Sequence, residues 1–285
     1  MHEELLWKWQ IWLYLWAAGV AGGGYFIAYL INIFTGFKEN RLVKYATYIG
    51  VPFVAFGTIM LLIDLGKVER FWHLMVRFYF HSPMSVGTWV LTFWVLCGIF
   101  LICLWSYEYF GKKLPFYSII VKFFHLKNII EGINFILSPI LIAYTGVLLS
   151  CTSLPVWKSY FLPPLFVVSA CSTGLAGILV MLVIRNEDIS HVMGQTSVLL
   201  SMFEAILLVL FLLSVPSYII VKGALSFAFW GGVVVVALFI PLWLKLWNLG
   251  QVRENHTILM VAAWWILIGG IILRAIIVIG GQVAL

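Results

Sequence analysis

The chain runs to 285 residues, of which 64% are hydrophobic and only 10% charged, with a mean hydropathy of +1.08. A soluble domain carries about 25% charged residues, so this composition excludes a water-soluble enzyme and places the bulk of the chain in a bilayer. The 17 basic against 11 acidic residues do not argue for nucleic acid, because in a membrane protein a basic excess reports orientation.

A bilayer is crossed by roughly 20 apolar residues. The sequence predicts eight spans, at 11–34, 46–65, 86–107, 129–150, 161–184, 196–215, 225–246 and 257–280. No stretch between them is long enough for a separate soluble domain, so chemistry on a water-soluble substrate has to come from another chain. Span 1 is preceded by no basic n-region with a small-residue cleavage site and is expected to be retained. Ten basic residues fall on one set of loops: Lys38, Arg41, Lys44, Lys112, Lys113, Lys122, Lys127, Arg185, Lys245 and Arg253. The other set holds six, Lys8, Lys67, Arg70, Arg77, Lys158 and Lys222. The richer face is expected to be cytoplasmic, which puts both termini on the outer side.

At the outer end of span 1, Gln10 and Tyr14 lie four apart and share a helix face, among Trp7, Trp9, Trp12 and Trp16. The tryptophans read as interface anchors. Gln10 and Tyr14 read either as interfacial polar residues or as part of a ligand site. Further along span 1 is Gly19-Val-Ala-Gly22, echoed in span 5 by Gly174-Leu-Ala-Gly177. Small residues at this spacing let helix backbones approach closely, and the echo is compatible with two related bundles or with ordinary membrane packing.

After span 2 comes a segment, Asp64 to Trp89, with an unusual density of polar and aromatic groups. Asp64, Lys67, Glu69, Arg70, His73, Arg77 and His81 sit among Phe71, Trp72, Phe78, Tyr79 and Phe80. A simple connector needs no such mixture, whereas a lid or docking surface does. In span 4, Glu131 is near the cytoplasmic end and is expected to face water. Tyr144 lies about a turn and a half from the outer end, the depth of Tyr14 in span 1. Two phenols and an amide at one depth, walled by aromatics, would suit an amphipathic ligand with a polar ring and a lipid tail.

Spans 6 and 8 carry Glu204 and Arg274. Each costs about 2.5–3.5 kcal/mol at mid-membrane unless paired or hydrated, so they read either as a self-neutralising pair or as part of a proton path. The histidines (His2, His73, His81, His125, His191, His256) all fall in loops or at span ends, which argues against axial ligation of a b-type haem. Cys97, Cys103, Cys151 and Cys171 show no CxxC or Cys/His ligand spacing and read as small hydrophobes. No metal site and no iron–sulfur cluster are expected in this chain.

Several segments, in order along nearly the whole chain, resemble one family. They are Trp12-Leu-Tyr-Leu-Trp-Ala-Ala-Gly-Val-Ala-Gly-Gly23, Asp64-Leu-Gly-Lys-Val-Glu-Arg-Phe-Trp72, Ser82-Pro-Met-Ser-Val-Gly-Thr-Trp89 and Tyr144-Thr-Gly-Val-Leu-Leu149. Ser172-Thr-Gly-Leu-Ala176 and Gly269-Gly-Ile-Ile-Leu-Arg274 with Gly280-Gly-Gln282 complete the set. The chain resembles the NrfD-like membrane subunits, a family that includes the polysulfide reductase membrane subunit. The resemblance implies an all-α integral membrane protein of eight helices in two four-helix bundles, 1–150 and 151–285, without haem.

It further implies a menaquinone or menaquinol site near the outer face of a bacterial or archaeal cytoplasmic membrane. The implied partners are an iron–sulfur subunit with several ferredoxin-like clusters and, beyond it, a molybdopterin catalytic subunit. Tyr144 falls where the family's quinone-contacting tyrosine lies. Gln10 and Tyr14 fall where the polysulfide reductase subunit has an asparagine and a histidine. A phenol in place of an imidazole removes a group that titrates near neutral pH, which makes Asp64 and His73 the alternatives for handling the quinone's protons. The Asp64–Trp89 segment would then cover the pocket and seat the iron–sulfur partner. Two rival readings are a secondary transporter, which two bundles and a buried Glu/Arg pair would also fit, and a passive membrane anchor.

Overall fold

The computed structural model describes residues 7–64, 82–110, 124–152, 154–223, 225–249 and 255–283. Eight long helices carry the described chain: α1 (Trp9–Phe34), α2 (Asn40–Asp64), α3 (Pro83–Phe110), α4 (Lys127–Ser150), α5 (Leu162–Ile184), α6 (His191–Ser214), α7 and α8 (His256–Val283). In α7 a π-helical stretch, Ala228–Phe239, continues as α-helix over Ile240–Leu249. Each is long and apolar enough to cross a membrane, and no strand occurs among the described residues. The protein is an all-α, multi-pass integral membrane protein.

Several helices start before the predicted spans, α2 at Asn40 and α6 at His191. Hydropathy marks only the apolar run, whereas the helical hydrogen-bond ladder continues through polar turns such as Arg41–Lys44. Pro241 has no N–H to offer the carbonyl of Ala237, which removes one rung where the π stretch ends, although Pro52 and Pro139 sit inside regular α-helix.

Helices α1 to α4 close one bundle, with α1 and α3 each packed on both α2 and α4. Helices α5 to α8 close the other, with α5 and α7 each packed on both α6 and α8. The two meet along α1 and α5, where 72% of the most apolar stretch of each helix is buried, against 22% for α3. The contact is backbone to backbone: a Cβ at Gly174 would overlap the main chain of Gly24, and one at Gly23 would overlap the carbonyl of Ala170. Of the echoed glycines only Gly174 makes this contact, its partners on α1 being Gly23 and Gly24, whereas Gly19 lies against Arg274 and Gly22 against Ile142.

Both central helices end alike. Phe37 N–H donates to Asn32 O (2.7 Å) after α1, and Glu187 N–H donates to Leu182 O (3.0 Å) after α5. The turns pass through left-handed residues, Gly36 and Phe37 in one and Asn186 in the other. Arg41 clips the two turns together, donating from Nη2 to Asp188 O (2.9 Å) and lying 3.6 Å from the Glu187 carboxylate, which also accepts from the Tyr45 hydroxyl. At the opposite face Gln282 of α8 holds the chain leading into α1, accepting from Trp7 N–H (2.7 Å) and donating to Trp7 O (3.1 Å).

Two expectations are corrected. Lys245 is not a loop cation: it is 2% exposed, inside the second bundle. Glu131 does not face water: it is buried, close to Tyr25, whose hydroxyl donates to the Glu131 carbonyl (3.1 Å).

Candidate functional site

The N-terminal ends of α1 and α3 and the C-terminal ends of α2 and α4 enclose a cavity of about 380 Å³, walled by Ala55, Leu61, Leu91, Val95 and Leu148 among others. Tyr14 from α1 and Tyr144 from α4 both line it. Counted from the helix ends at Trp9 and Ser150, the two tyrosines lie about 8 and 9 Å deep. Ile59 of α2 and Leu96 of α3, more than half exposed on the outer surface of the bundle, also line the cavity. It therefore opens sideways, between α2 and α3, toward the acyl chains.

Glycines set both rings in place. Gly57 of α2 lies against Tyr14, where a Cβ would come 3.2 Å from the ring, and Gly87 of α3 lies so close to Tyr144 that a Cβ would overlap its ring. Both phenols are largely buried, Tyr14 at 3% and Tyr144 at 9% exposure, and neither hydroxyl finds a hydrogen-bond partner among the described residues. Three threonines share the lining, but Thr58, Thr88 and Thr92 each donate at 2.8 Å to the carbonyl one turn back, Val54, Met84 and Thr88. That leaves the two phenols as the hydroxyls with a free O–H to donate to a guest, while the threonine oxygens can still accept. Such a site suits a flat, largely apolar molecule with carbonyl or hydroxyl groups on its ring.

The other site residues expected from the sequence are distributed differently. Gln10 is one turn outward of Tyr14; its amide oxygen is buried without a partner, but Gln10 is not among the cavity-lining residues. Asp64 is the last residue of α2, its side chain outside what the structure describes, and His73 lies outside the described residues together with the rest of 65–81. Glu204 and Arg274 are buried in the second bundle, away from the cavity, and make no ion pair with each other. Sequence reasoning missed Gly57 and the role of Gly87, although Gly87 stands in the Ser82–Trp89 segment that carries part of the family resemblance. It also missed Gln282 as the tie that holds the start of α1.

An eight-span helical membrane protein with a lipid-facing, two-phenol cavity in its first bundle is the class that fold and site define. The chain belongs to the NrfD family: the family model described as "Polysulphide reductase, NrfD" matches residues 1–285. It is 27% identical to the C subunit of polysulfide reductase from Wolinella succinogenes over 99% of this chain and 96% of that one. It is 26% identical to the protein NrfD homolog of Haemophilus influenzae (98% of this chain, 95% of that one) and 27% identical to protein NrfD of Escherichia coli (98% and 96%).

Proposed function

We propose that this chain is the quinone-reactive membrane subunit of a respiratory oxidoreductase complex in the cytoplasmic membrane of a bacterium or archaeon. The observation that carries the reading is the pair of phenols, Tyr14 and Tyr144, without hydrogen-bond partners among the described residues and facing one apolar cavity open to lipid. Family membership supports it, as does the name of the Wolinella succinogenes relative, a subunit of polysulfide reductase.

The cavity walls hold the ring of a menaquinone-type molecule whose isoprenoid tail leaves between α2 and α3. Each phenol donates a hydrogen bond to a ring oxygen, which orients the ring and keeps its oxygens at the outer face. Oxidation of the bound quinol releases two electrons and two protons; reduction takes up the same. The electrons pass to or from a multi-cluster iron–sulfur partner docked over the Asp64–Trp89 segment, which in turn serves a molybdopterin catalytic subunit. In this reading Asp64 and His73 of that segment exchange the protons with outer-face water. The chain is not an enzyme by itself; it supplies the quinone side of a complex.

Tyr144→Phe keeps the ring that packs on Gly87 and removes only the hydroxyl. A lost hydrogen bond is worth roughly 0.5–1.5 kcal/mol, so quinol binding should weaken about 2- to 10-fold. The complex should still assemble. The measurement is quinol-dependent reduction of an artificial acceptor by the purified complex, with subunit stoichiometry checked on the same sample. Unchanged quinol dependence in Tyr144→Phe and in Tyr14→Phe would overturn the assignment.

A further inference from the structure

A second cavity, of about 280 Å³, lies beside the α1–α5 crossing, where the two bundles meet. Its walls come from both bundles: Trp16 and Val20 of α1 and Ile49 and Phe53 of α2 face residues of α5 and α8. Ile184 at the end of α5 (59% exposed) and Ile268 of α8 (44%) stand on the protein surface and also line it. The cavity is therefore a trough open to lipid. It shares no lining residue with the two-phenol cavity.

The trough runs along the helices. The end of α5 and the starts of α2 and α8 lie at the same membrane face, the one with more basic loops, and Ile184 is the last residue of α5. From that face Trp264 lies eight residues into α8, about 12 Å. Phe53 lies thirteen residues into α2, about 20 Å, and Ile271 fifteen into α8, about 22 Å. The hydrocarbon core of a bilayer is about 30 Å thick, so the trough is deep enough for a whole acyl chain from one leaflet.

The lining surface is almost wholly carbon. It carries no hydroxyl, amide or charged side chain, and the indole nitrogen of Trp16 is buried from a guest. Nothing in it matches the phenol pair of the first cavity, so it does not suit a ring with carbonyl oxygens, whereas an acyl chain needs only carbon. Gly177 of α5 forms part of the floor. A Cβ there would meet Val20 Cγ1 at 3.7 Å and Ile49 Cγ2 at 3.9 Å, both wall residues. Lipid tails are as apolar as the trough, so burial alone does not retain a chain; the fit and the headgroup have to.

Charged groups stand where the trough reaches the basic face. On α2, Tyr45 and Arg41 continue the stripe of Phe53 and Ile49 in four-residue steps. Arg41 is committed to Asp188 O and to the Glu39 and Glu187 carboxylates, and the Tyr45 hydroxyl donates to Glu187. Arg185, directly after Ile184, is exposed, lies within electrostatic reach of Tyr45 and makes no ion pair among the described residues. The exposed Asp188 carboxylate, three residues on, likewise makes none. One guanidinium and one carboxylate are thus left to bind a group that carries both charges.

We propose that the trough seats one acyl chain of a zwitterionic aminophospholipid from the leaflet at the basic face. Its phosphate lies on Arg185, whose planar fork suits phosphate oxygens, and its ammonium group lies toward Asp188. The chain fills the space between α2 and α8 beside the α1–α5 crossing and so braces the two bundles against each other. The lipid seat stands apart from the quinone assignment, because it is a different cavity with a different guest.

The test is native mass spectrometry of the full chain released from nanodiscs of phosphatidylethanolamine and phosphatidylglycerol in equal parts, with a small fraction of menaquinone. The wild type should retain one phosphatidylethanolamine per chain. Ile268→Trp and Gly177→Phe, which fill the trough from its rim and its floor, should abolish that adduct. Arg185→Ala, at an exposed site, should weaken retention about tenfold or more and remove the preference over phosphatidylglycerol. Ile136→Trp adds the same bulk at a 63% exposed position of α4 outside the trough and should retain the lipid. No retained lipid in the wild type, or a lipid kept by Ile268→Trp, overturns the seat, whether or not Gly177→Phe folds. Equal retention of the two phospholipids by the wild type, or unchanged retention in Arg185→Ala, overturns the headgroup assignment. A menaquinone that Ile268→Trp expels would make the trough a quinone site instead.

Discussion

Tyr144 owes its position to a neighbour without a side chain. Gly87 gives α3 a smooth surface on which the phenol ring lies, and a Cβ there would occupy ring space. Overpacking of this kind costs roughly 1–3 kcal/mol and is relieved by moving the obstructing group. In Gly87→Val the ring should swing out of the cavity, and quinol-dependent turnover should fall at least as far as in Tyr144→Phe. Gly132→Val is the control, since nothing stands within 4 Å of a Cβ at that position. Turnover is measured on the assembled complex; equal activity of the two variants would show that Tyr144 is not held by Gly87. At this scale the phenols are legible in the sequence because depth along a span is simple counting. Gly87 is visible as part of a segment, but its partner 57 residues away is not. Lys245 misleads for a related reason: a lysine near the end of an apolar run resembles a loop cation, and the serines that hold it lie 44 and 48 residues earlier in another helix.

At the scale of elements, the α1–α5 crossing sets the distance between the bundles. The Gly-x-x-Gly echo in the sequence shows that both helices carry small residues, but not that each is the other's partner. That pairing follows from the fold, which puts the first helix of each bundle at the centre. Gly24 and Gly174 are in backbone contact, so no side chain can be added without separating the helices. Gly174→Leu should destabilise the protein by about 1–3 kcal/mol or more. It should lower both the yield of monodisperse protein and its thermal midpoint. Gly231→Leu, on a helix where a Cβ meets nothing within 4 Å, should leave both unchanged. Equal thermal midpoints for the two variants would mean that α1 and α5 are not tightly apposed. The π stretch of α7 has no counterpart among the predicted spans, because hydropathy is blind to hydrogen-bond register.

For the whole molecule, orientation decides which membrane face each of the two polar regions lies toward. Moving Lys245 into the second bundle reduces the cytoplasmic basic set from ten to nine, against six on the other face. The bias keeps its sign, so the positive-inside rule predicts both termini and the two-phenol cavity at the outer face. By the same rule buried Lys245, about 6 Å from the end of α7, is predicted to lie toward the cytoplasmic face. On the proposed reading, protons linked to the quinone would then exchange at the outer face. Two positions test this directly in a background lacking Cys97, Cys103, Cys151 and Cys171. Lys38 sits in the exposed turn after α1, and Tyr160, 97% exposed, precedes α5 at the opposite face. In intact cells or right-side-out spheroplasts, a membrane-impermeant maleimide should label Tyr160→Cys and leave Lys38→Cys untouched until the membrane is opened. The reverse pattern would invert both assignments together, placing the cavity on the cytoplasmic side and Lys245 toward the outer one. The geometry of each region would stand, but the quinone's protons would exchange at the cytoplasmic face.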